Sequence, residues 1–238
     1  MMMLEELIEK CLRYPSPDNA QCFSFRILDQ SQFEIIHDAD LSRHRLNMAQ
    51  IPIFLALGGL LETASLVTAQ SGMSLHPEML FSATDDLNKT RAWVRIKLTP
   101  DAKIKSDPLV EALDKRFTDR RLFLKQPLPP EKILELKQIS ERSEKIKFIY
   151  QNKLHPNMLE KFLIIEEEIW KDSPLAADIL NWIRFTRKSA ETTRDGLSWP
   201  TLGLSLFQKP WLALFRRFPV IYAMAVKLAR IFHKCCVI

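Results

Sequence analysis

The sequence predicts an α+β protein in which a mostly antiparallel sheet packs with helices around a central buried helix. Residues 22–28 and 33–37 are short apolar runs on either side of the turn-like tetrapeptide at 29–32, a pattern typical of a β-hairpin. Residues 45–70 are apolar on almost every side, as in a buried helix. Residues from 201 onward are helical in composition, so we expect a helical C-terminal extension.

The first element is a predicted amphipathic helix. Its apolar residues recur at helical spacing: Leu4, Leu7, Ile8, Cys11 and Leu12. Pro15 and Pro17 end it and predict a loop. The acidic residues Glu5, Glu6 and Glu9 are unlike a secretory signal, so we expect no export by that route and a cytoplasmic location.

After the hairpin, the central helix is expected to end near Gly72. Residues 79–83 and 92–98 alternate as strands do, with a turn at 84–88 between them. The remaining predicted elements are helices at 107–114, 131–143, 156–170 and 174–187 and a candidate strand at 146–150.

Composition limits the class of protein. With 238 residues, 47% of them hydrophobic, and only 5 glycines, the chain is long and apolar enough to bury a core. The net charge of +5 is concentrated after residue 184, where bases outnumber acids. The basic residues there are Arg184, Arg187, Lys188, Arg194, Lys209, Arg216, Arg217, Lys227, Arg230 and Lys234.

Cysteines and histidines give no metal or disulfide pattern. The cysteines are Cys11, Cys22, Cys235 and Cys236, with no CxxC pair, which favours a reducing compartment. The histidines form no i, i+4 pair, and neither a nucleophile elbow nor a Cys-His arrangement is present. We therefore expect no metal and no nucleic-acid partner, and the sequence names no catalytic residue.

Three segments resemble the nitroreductase-like family, and its tandem or fused members in particular. Residues 14–25, YPSPDNAQCFSF, resemble the family's PSxDNxQPW loop, with Cys22-Phe23 in place of Pro-Trp. Residues 113–123, LDKRFTDRRLF, followed by PLP, are similar to its RRTDRRPF…PVP stretch. Residues 178–185, DILNWIRF, followed by RDGL at 194–197, are similar to its ELxWxR…DGL stretch.

The resemblance implies a nitroreductase-like domain at 1–200 and a flavin mononucleotide (FMN) cofactor reduced by NAD(P)H. The chemistry would be hydride transfer through the flavin to an acceptor that the residues do not identify. Family members continue, after the position that corresponds to Ile238, with segments that complete the flavin cleft. We therefore expect a homodimer or a partner protein to complete the site.

Six residues are the candidate FMN ligands. On the proline-stiffened loop, Ser16, Asn19 and Gln21 offer polar groups for the flavin ring or the ribityl chain. The alternative for this loop is ordinary turn chemistry, in which short polar side chains bond to the backbone. A guanidinium suits bidentate contact with a phosphate, and the arginines in question are Arg116, Arg120 and Arg121. The alternative for the arginines is a solvated ion-pair cluster with Asp114 and Asp119.

The tail at 201–238 is helical in composition and divided by Pro210 and Pro219. Arg216-Arg217 and Pro219 interrupt its apolar run at 211–228, so it is too short to span a bilayer. Two interpretations stay open: a helix lying on an anionic membrane surface, or a helix packed on its own domain or on a dimer partner.

The last four residues, CCVI, fit the CaaX prenylation pattern, with Cys235 as the lipid acceptor. Neighbouring bases would supply the second, electrostatic contribution that one lipid chain needs for stable anchoring. The alternative function is thus a degenerate, non-catalytic nitroreductase-like module that is peripheral on a membrane.

Overall fold

The protein has a mixed α+β architecture, as predicted, with an antiparallel sheet and helices. A computed structural model describes residues 4–43, 47, 50–82, 85–118, 120, 126–141, 147–151, 156–171, 173–203, 207, 209–218, 220–222, 224 and 227. The chain forms two compact units. The first unit is Met1–Asp119 with Ala177–Leu204, and the second is Arg120–Ala176 with Ser205–Ile238. The predicted boundary at residue 200 stays a prediction.

The first unit is built on a four-stranded antiparallel sheet of order β1-β2-β4-β3. Its strands are β1 (Phe23–Ile27), β2 (Gln32–His37), β3 (Met73–Met79) and β4 (Arg91–Pro100). Two helices belong to it, α1 (Leu4–Cys11) and α2 (Ile51–Gln70). Both pack on one face of the sheet, around buried side chains that include Leu7, Leu60, Phe33, Trp93 and Ile96.

The predicted hairpin is confirmed. Phe23 pairs with His37 and Ile27 with Phe33 across β1 and β2. The Asp29 carboxylate accepts hydrogen bonds from the Ser31 amide at 2.7 Å and the Gln32 side chain at 3.0 Å, which fixes the turn. Short polar side chains that hydrogen-bond within the turn are a local pattern, which is why the hairpin could be predicted from the sequence.

Helix α2 is the predicted central helix, and it begins at Ile51 after Gln50, whose φ is 58°. One side of it, including Leu57, Leu60, Ala64 and Val67, is buried in the core. Among the described residues it is the one helix long and apolar enough to cross a bilayer, and 44% of its most apolar stretch is buried inside the protein. A helix packed on a sheet in this way is the core helix of its unit.

The prediction for β3 was wrong in position. The strand runs over Met73–Met79 and so ends where the predicted strand began. Pro77 lowers the strand propensity of this segment, but β3 is an edge strand and tolerates a proline that donates no ladder hydrogen bond. The helix predicted at 107–114 is instead a short 3₁₀ helix, Pro108–Ala112. The Asp107 side chain caps it by accepting a hydrogen bond from the Leu109 amide.

The predicted helix at 174–187 was too long. Helix α5 (Ser173–Asn181) ends before β5 (Ile183–Arg184), which pairs in parallel with β6 (Leu197–Ser198). Helix α6 (Arg187–Thr193) connects the two strands and is capped by the Thr186 side chain. A pairing between strands of two residues each leaves no periodic pattern in a sequence, so tertiary contact overrode local propensity.

The regular secondary structure described in the second unit is helical. Its helices are α3 (Pro130–Glu141), α4 (Pro156–Lys171) and α7 (Lys209–Arg217). Residues 147–150 are not in a strand, so the strand predicted at 146–150 was wrong over that range, and residue 146 lies outside the described residues.

The sheet face opposite the helices carries a row of alternating charges. The register places Arg26, Glu34, Arg95 and Glu78 side by side on β1, β2, β4 and β3. Both arginines bind the Glu34 carboxylate: Arg26 through Nε at 3.0 Å and Arg95 through Nη2 at 2.9 Å. Glu34 is buried beneath them, whereas Glu78 is exposed. We call this row the charge ladder.

Candidate functional site

The loop between α1 and β1 brings together the polar residues that the sequence singled out. Its 3₁₀ turn, Pro17–Asn19, contains left-handed residues, with φ of 47° at Asp18 and 54° at Asn19. The Ser16 hydroxyl accepts a hydrogen bond from the Gln21 amide at 3.3 Å, and Gln21 Nε2 donates to Asn19 Oδ1 at 2.7 Å. Ser16, Asn19 and Gln21 therefore lie together in one cross-bonded loop.

Asn19 also joins this loop to the segment that precedes β6. Its Nδ2 donates to the Gly196 carbonyl at 3.1 Å, and the Gly196 amide donates back to the Asn19 carbonyl at 2.9 Å. The two residues are 177 positions apart in the sequence. Two segments identified separately in the sequence, one around Asn19 and one around Gly196, are thus in direct contact.

Position 196 requires glycine. Its φ is +71°, a conformation that residues with a Cβ rarely adopt. A Cβ there would lie 2.4 Å from the Trp182 carbonyl oxygen and 2.9 Å from Cζ of Arg184. A larger residue at 196 would therefore have to move away from Trp182 and Arg184, and the backbone that bonds to Asn19 would move with it.

Arg184 holds the segment around Gly196 by bonding to the neighbouring Asp195. Its guanidinium donates to one oxygen of Asp195 through Nε at 2.9 Å and Nη2 at 2.7 Å. Both side chains are largely buried, and the guanidinium also lies 5.7 Å from the centre of the Trp182 ring. Arg184 therefore holds the turn at 195–196 in place.

An open cleft of about 540 Å³ lies beside the joined loop. The cleft is lined by the end of α1 and the residues after it, the polar loop, the start of β1, residue 41, and the end of α6 with the residues after it. Its lining residues are Glu9, Leu12, Arg13, Ala20, Gln21, Phe23, Leu41, Thr193, Arg194 and Asp195. Two of its cations, Arg13 and Arg194, were not among the predicted ligands. Arg13 stands directly before the family-like loop, which is the one sequence feature that could have pointed to it.

The three predicted phosphate ligands differ in their positions. Arg116 belongs to the first unit, is exposed, and donates from Nη2 to the Arg13 carbonyl at 3.3 Å, next to the cleft. Arg120 is exposed and belongs to the second unit. Arg121 lies outside the described residues. The structure therefore places one of the three, Arg116, beside a residue of the cleft.

The ion-pair cluster predicted for these arginines is not seen among the described residues, where Asp114 pairs instead with Arg13. Asp114 lies 3.6 Å from the side chain of Arg13, and both are well exposed, so the pair stabilises little. Asp119 lies outside the described residues.

Behind the cleft, the core contains buried titratable groups. His37 stacks on Trp93 with 4.0 Å between ring centres, and its Nε2 lies 2.8 Å from the Ser42 hydroxyl. The Ser42 hydroxyl also donates to the Ala39 carbonyl at 3.1 Å. Among the described residues Nδ1 has no partner. Burial lowers the pKa of His37 to about 4, only partly opposed by the Asp38 carboxylate.

The two described thiols are unsuited to nucleophilic catalysis. Burial raises the pKa of Cys11 to about 12 and that of Cys22 to about 11. Burial likewise raises the pKa of Tyr14, which lies 6.0 Å from Phe23 between ring centres. Phe23 is almost wholly buried beneath the cleft. Neither of these two thiols is thus poised to form a thiolate near neutral pH.

Helix α7 (Lys209–Arg217) lies in the tail. Trp211 and the basic pair Arg216 and Arg217 are exposed on it, and the Arg217 guanidinium lies 5.9 Å from the ring centre of Phe218. The proposed lipid acceptor Cys235 lies outside the described residues.

Metal chemistry has no candidate in the described part of the chain, where no three His, Cys, Asp or Glu side chains are grouped to hold an ion. Comparison with known proteins adds no assignment, because no family model matches the sequence and no curated protein matches it. The function is therefore inferred from the residues and their contacts.

Proposed function

We propose that the chain is a flavin-dependent oxidoreductase with a nitroreductase-like fold, which binds FMN in the cleft beside the polar loop and accepts electrons from NAD(P)H. The observation that carries the proposal is the pair of hydrogen bonds between Asn19 and Gly196. These bonds join two of the three family-like segments into one wall of one cleft. When bound, the flavin supplies the hydride and electron-transfer chemistry.

The cleft fits such a ligand in size and in donor groups. Its volume of about 540 Å³ is within the range of small-molecule sites, roughly 300 to 1,000 Å³. Arg13 and Arg194 offer guanidinium groups for a phosphate, and Gln21 offers an amide. The chain's own residues bind and orient the ligand in this proposal, and the cross-bonded loop keeps the Gln21 amide in one position before the ligand arrives.

Flavin titration of the full chain tests the proposal. We expect added FMN to raise the melting temperature and its absorbance to bleach when NAD(P)H is added. Folded protein that gains no thermal stability from FMN, and whose FMN is not reduced, would overturn it.

Matched arginine variants locate the phosphate. Arg13→Ala and Arg194→Ala are each expected to raise the Kd for FMN by about 10-fold to 100-fold, because each removes a charge-assisted hydrogen bond worth about 1.5 to 3 kcal/mol. The same titration of Arg116→Ala, Arg120→Ala and Arg121→Ala tests the ligands predicted from sequence. Arg43→Ala is the control, since Arg43 is exposed and pairs with Asp40. A Kd that none of the five variants changes would remove the phosphate assignment.

A second function, attachment to a membrane as a non-catalytic module, is favoured by α7. An exposed tryptophan beside two exposed arginines suits a helix at an anionic bilayer surface, and prenylation at Cys235 would add the second anchor. We expect Cys235→Ser to move the protein from membrane to cytosol in eukaryotic cells. An unchanged distribution would reject lipidation there, and a chain that binds no FMN but does bind anionic vesicles would favour this function over the first.

A further inference from the structure

Helix α4 has an apolar stripe that faces outward. The stripe consists of Met158, Phe162, Ile165 and Ile169, whose successive spacings are four, three and four residues. This spacing is that of the d and a positions of a coiled-coil heptad. Met158, Phe162 and Ile165 are exposed at 42%, 56% and 54%. An apolar stripe of this kind normally faces a core or a partner helix.

We propose that α4 pairs with α4 of a second copy of this chain in an antiparallel arrangement. In that pairing Phe162 of one copy lies against Ile165 of the other, and Met158 lies against Ile169. Each of the four apolar residues then has a partner, and the two-fold axis repeats every contact.

The charges beside the stripe favour a second copy of α4 in the antiparallel orientation. Lys161 and Glu168 both stand at g positions of the same heptad, and g positions face each other in an antiparallel pair. Lys161 of each copy therefore lies opposite Glu168 of the other, which gives two attractive pairs. Both side chains are exposed, although Glu168 also pairs with Lys171 of its own helix at 2.8 Å.

Other occupants suit the charge pattern less well. Helix α4 carries four glutamates, Glu160, Glu166, Glu167 and Glu168, against two lysines, Lys161 and Lys171. An anionic membrane would repel this surplus. A parallel pair of α4 helices would place the two acidic runs at 166–168 side by side.

The dimer is expected to be weak. A stable interface buries about 1,200 to 2,000 Å² in total, and one pair of 16-residue helices with four apolar residues each falls below that range. We expect a dissociation constant on the order of 10 µM, so that dimers form and separate with concentration.

Sedimentation velocity of the full chain over about 1 to 200 µM tests the proposal. The wild-type chain should shift from monomer to dimer across this range, and Phe162→Glu should weaken dimerisation at least about tenfold. Leu134→Glu on α3 is the matched control, because Leu134 is also exposed at 56%, and it should dimerise as the wild type does. Far-UV circular dichroism checks that both variants remain folded.

Charge reversal tests the antiparallel register and does not depend on the Phe162 variant. Lys161→Glu should weaken the dimer, and adding Glu168→Lys to it should restore dimerisation, because the two opposing charges are exchanged. A wild-type chain that stays monomeric, equal loss in Phe162→Glu and Leu134→Glu, or no restoration by the double reversal would each overturn the proposal. Binding of α4 to anionic vesicles by a monomeric wild type, lost in Phe162→Glu, would assign the stripe to lipid and overturn it too.

Discussion

The two units use their apolar residues in opposite ways. In the first unit, large side chains such as Phe33, Leu60 and Trp93 are completely buried between the sheet and its helices. In the second unit, Ala176 is the one apolar side chain that is buried among the residues the structure describes. Many of its large apolar residues are exposed instead: Leu128, Leu134, Leu136, Ile139, Ile149, Met158, Phe162, Ile164, Ile165, Phe207, Trp211, Phe218, Val220, Ile221 and Met224.

This difference suggests that the first unit supplies most of the stability, whereas the second unit offers surfaces for a binding partner. Burial of apolar surface is the main favourable contribution to folding, so the first unit should supply most of the free energy of unfolding. Exposed apolar residues supply little of it, but they are what a partner surface would cover. The following four experiments test that separation.

The largest effect is expected at the centre of the first unit. Trp93 packs against His37, Phe54 and Phe81, with ring centres 4.0, 5.4 and 5.0 Å away. Trp93→Ala should lower the free energy of unfolding by about 3 to 5 kcal/mol through lost burial and the cavity left behind. Urea denaturation measures it, with Trp93→Phe as the milder control. A loss below about 1 kcal/mol would mean that this core does not dominate stability.

The next effect depends on pH. Burial holds the pKa of His37 near 4 in the folded chain, against 6.5 for an ordinary histidine. The unfolded chain therefore binds the extra proton first, and stability should fall by up to about 3 kcal/mol as pH is lowered from about 6.5 to about 4. His37→Gln removes the titrating group. The free energy of unfolding of both proteins is measured by urea denaturation between about pH 6.5 and pH 4. If it falls equally with pH in both, His37 is not the titrating group.

A smaller effect is expected in the charge ladder. Glu34→Ala should cost about 2 kcal/mol, since it removes a buried carboxylate bonded by two guanidinium groups. Hydrogen bonds from Arg26, and then from Arg95, keep the pKa of Glu34 below its usual 4.5, so its contribution should persist above about pH 4.5 and disappear as pH falls further.

The control for the ladder is Glu78→Ala. Glu78 is exposed and lies 3.4 Å from Arg95, so its loss should change stability by less than about 0.5 kcal/mol. Equal losses in Glu34→Ala and Glu78→Ala would show that burial of the carboxylate is not what matters.

The smallest effect is expected in the second unit. Leu134→Ala should change the free energy of unfolding by no more than about 0.5 kcal/mol, because the side chain is more than half exposed on α3. A loss comparable to that of Trp93→Ala, measured by the same urea denaturation, would show that α3 is covered in solution and would end the contrast between the units.

The elements that the sequence predicted well are those determined by local patterns. The hairpin was legible because apolar alternation and an Asp-centred turn lie within 15 consecutive residues, Phe23–His37. Helix α2 was legible from its length and apolar composition. The pairing of β5 with β6 was missed, because two-residue strands carry no period and form only through tertiary contact. β3 was misplaced because Pro77 argued against a strand there. A proline is tolerated in an edge strand, but a sequence does not show which strand lies at the edge of a sheet.

The candidate site was predictable only in its local part. Ser16, Asn19 and Gln21 were identified together because six residues of one stiff loop hold all three. Arg13 and Arg194 were missed, because an arginine's access to a cleft depends on which helix ends meet there, and the chain has many arginines. The bonding of Asn19 to Gly196 was likewise invisible to local patterns, although both residues lie in segments that the family resemblance had marked.

The bond between Asn19 and Gly196 also sets an order of events during folding. A contact between residues 177 positions apart carries a large loop-closure entropy, and it can form only after the chain has left the first unit at Asp119 and returned to it at Ala177. We therefore expect the cleft wall to form late in folding. Its amide hydrogens should exchange faster than those of the sheet beneath it. A ligand bound in the cleft would contact both joined segments, so we expect it to slow this exchange.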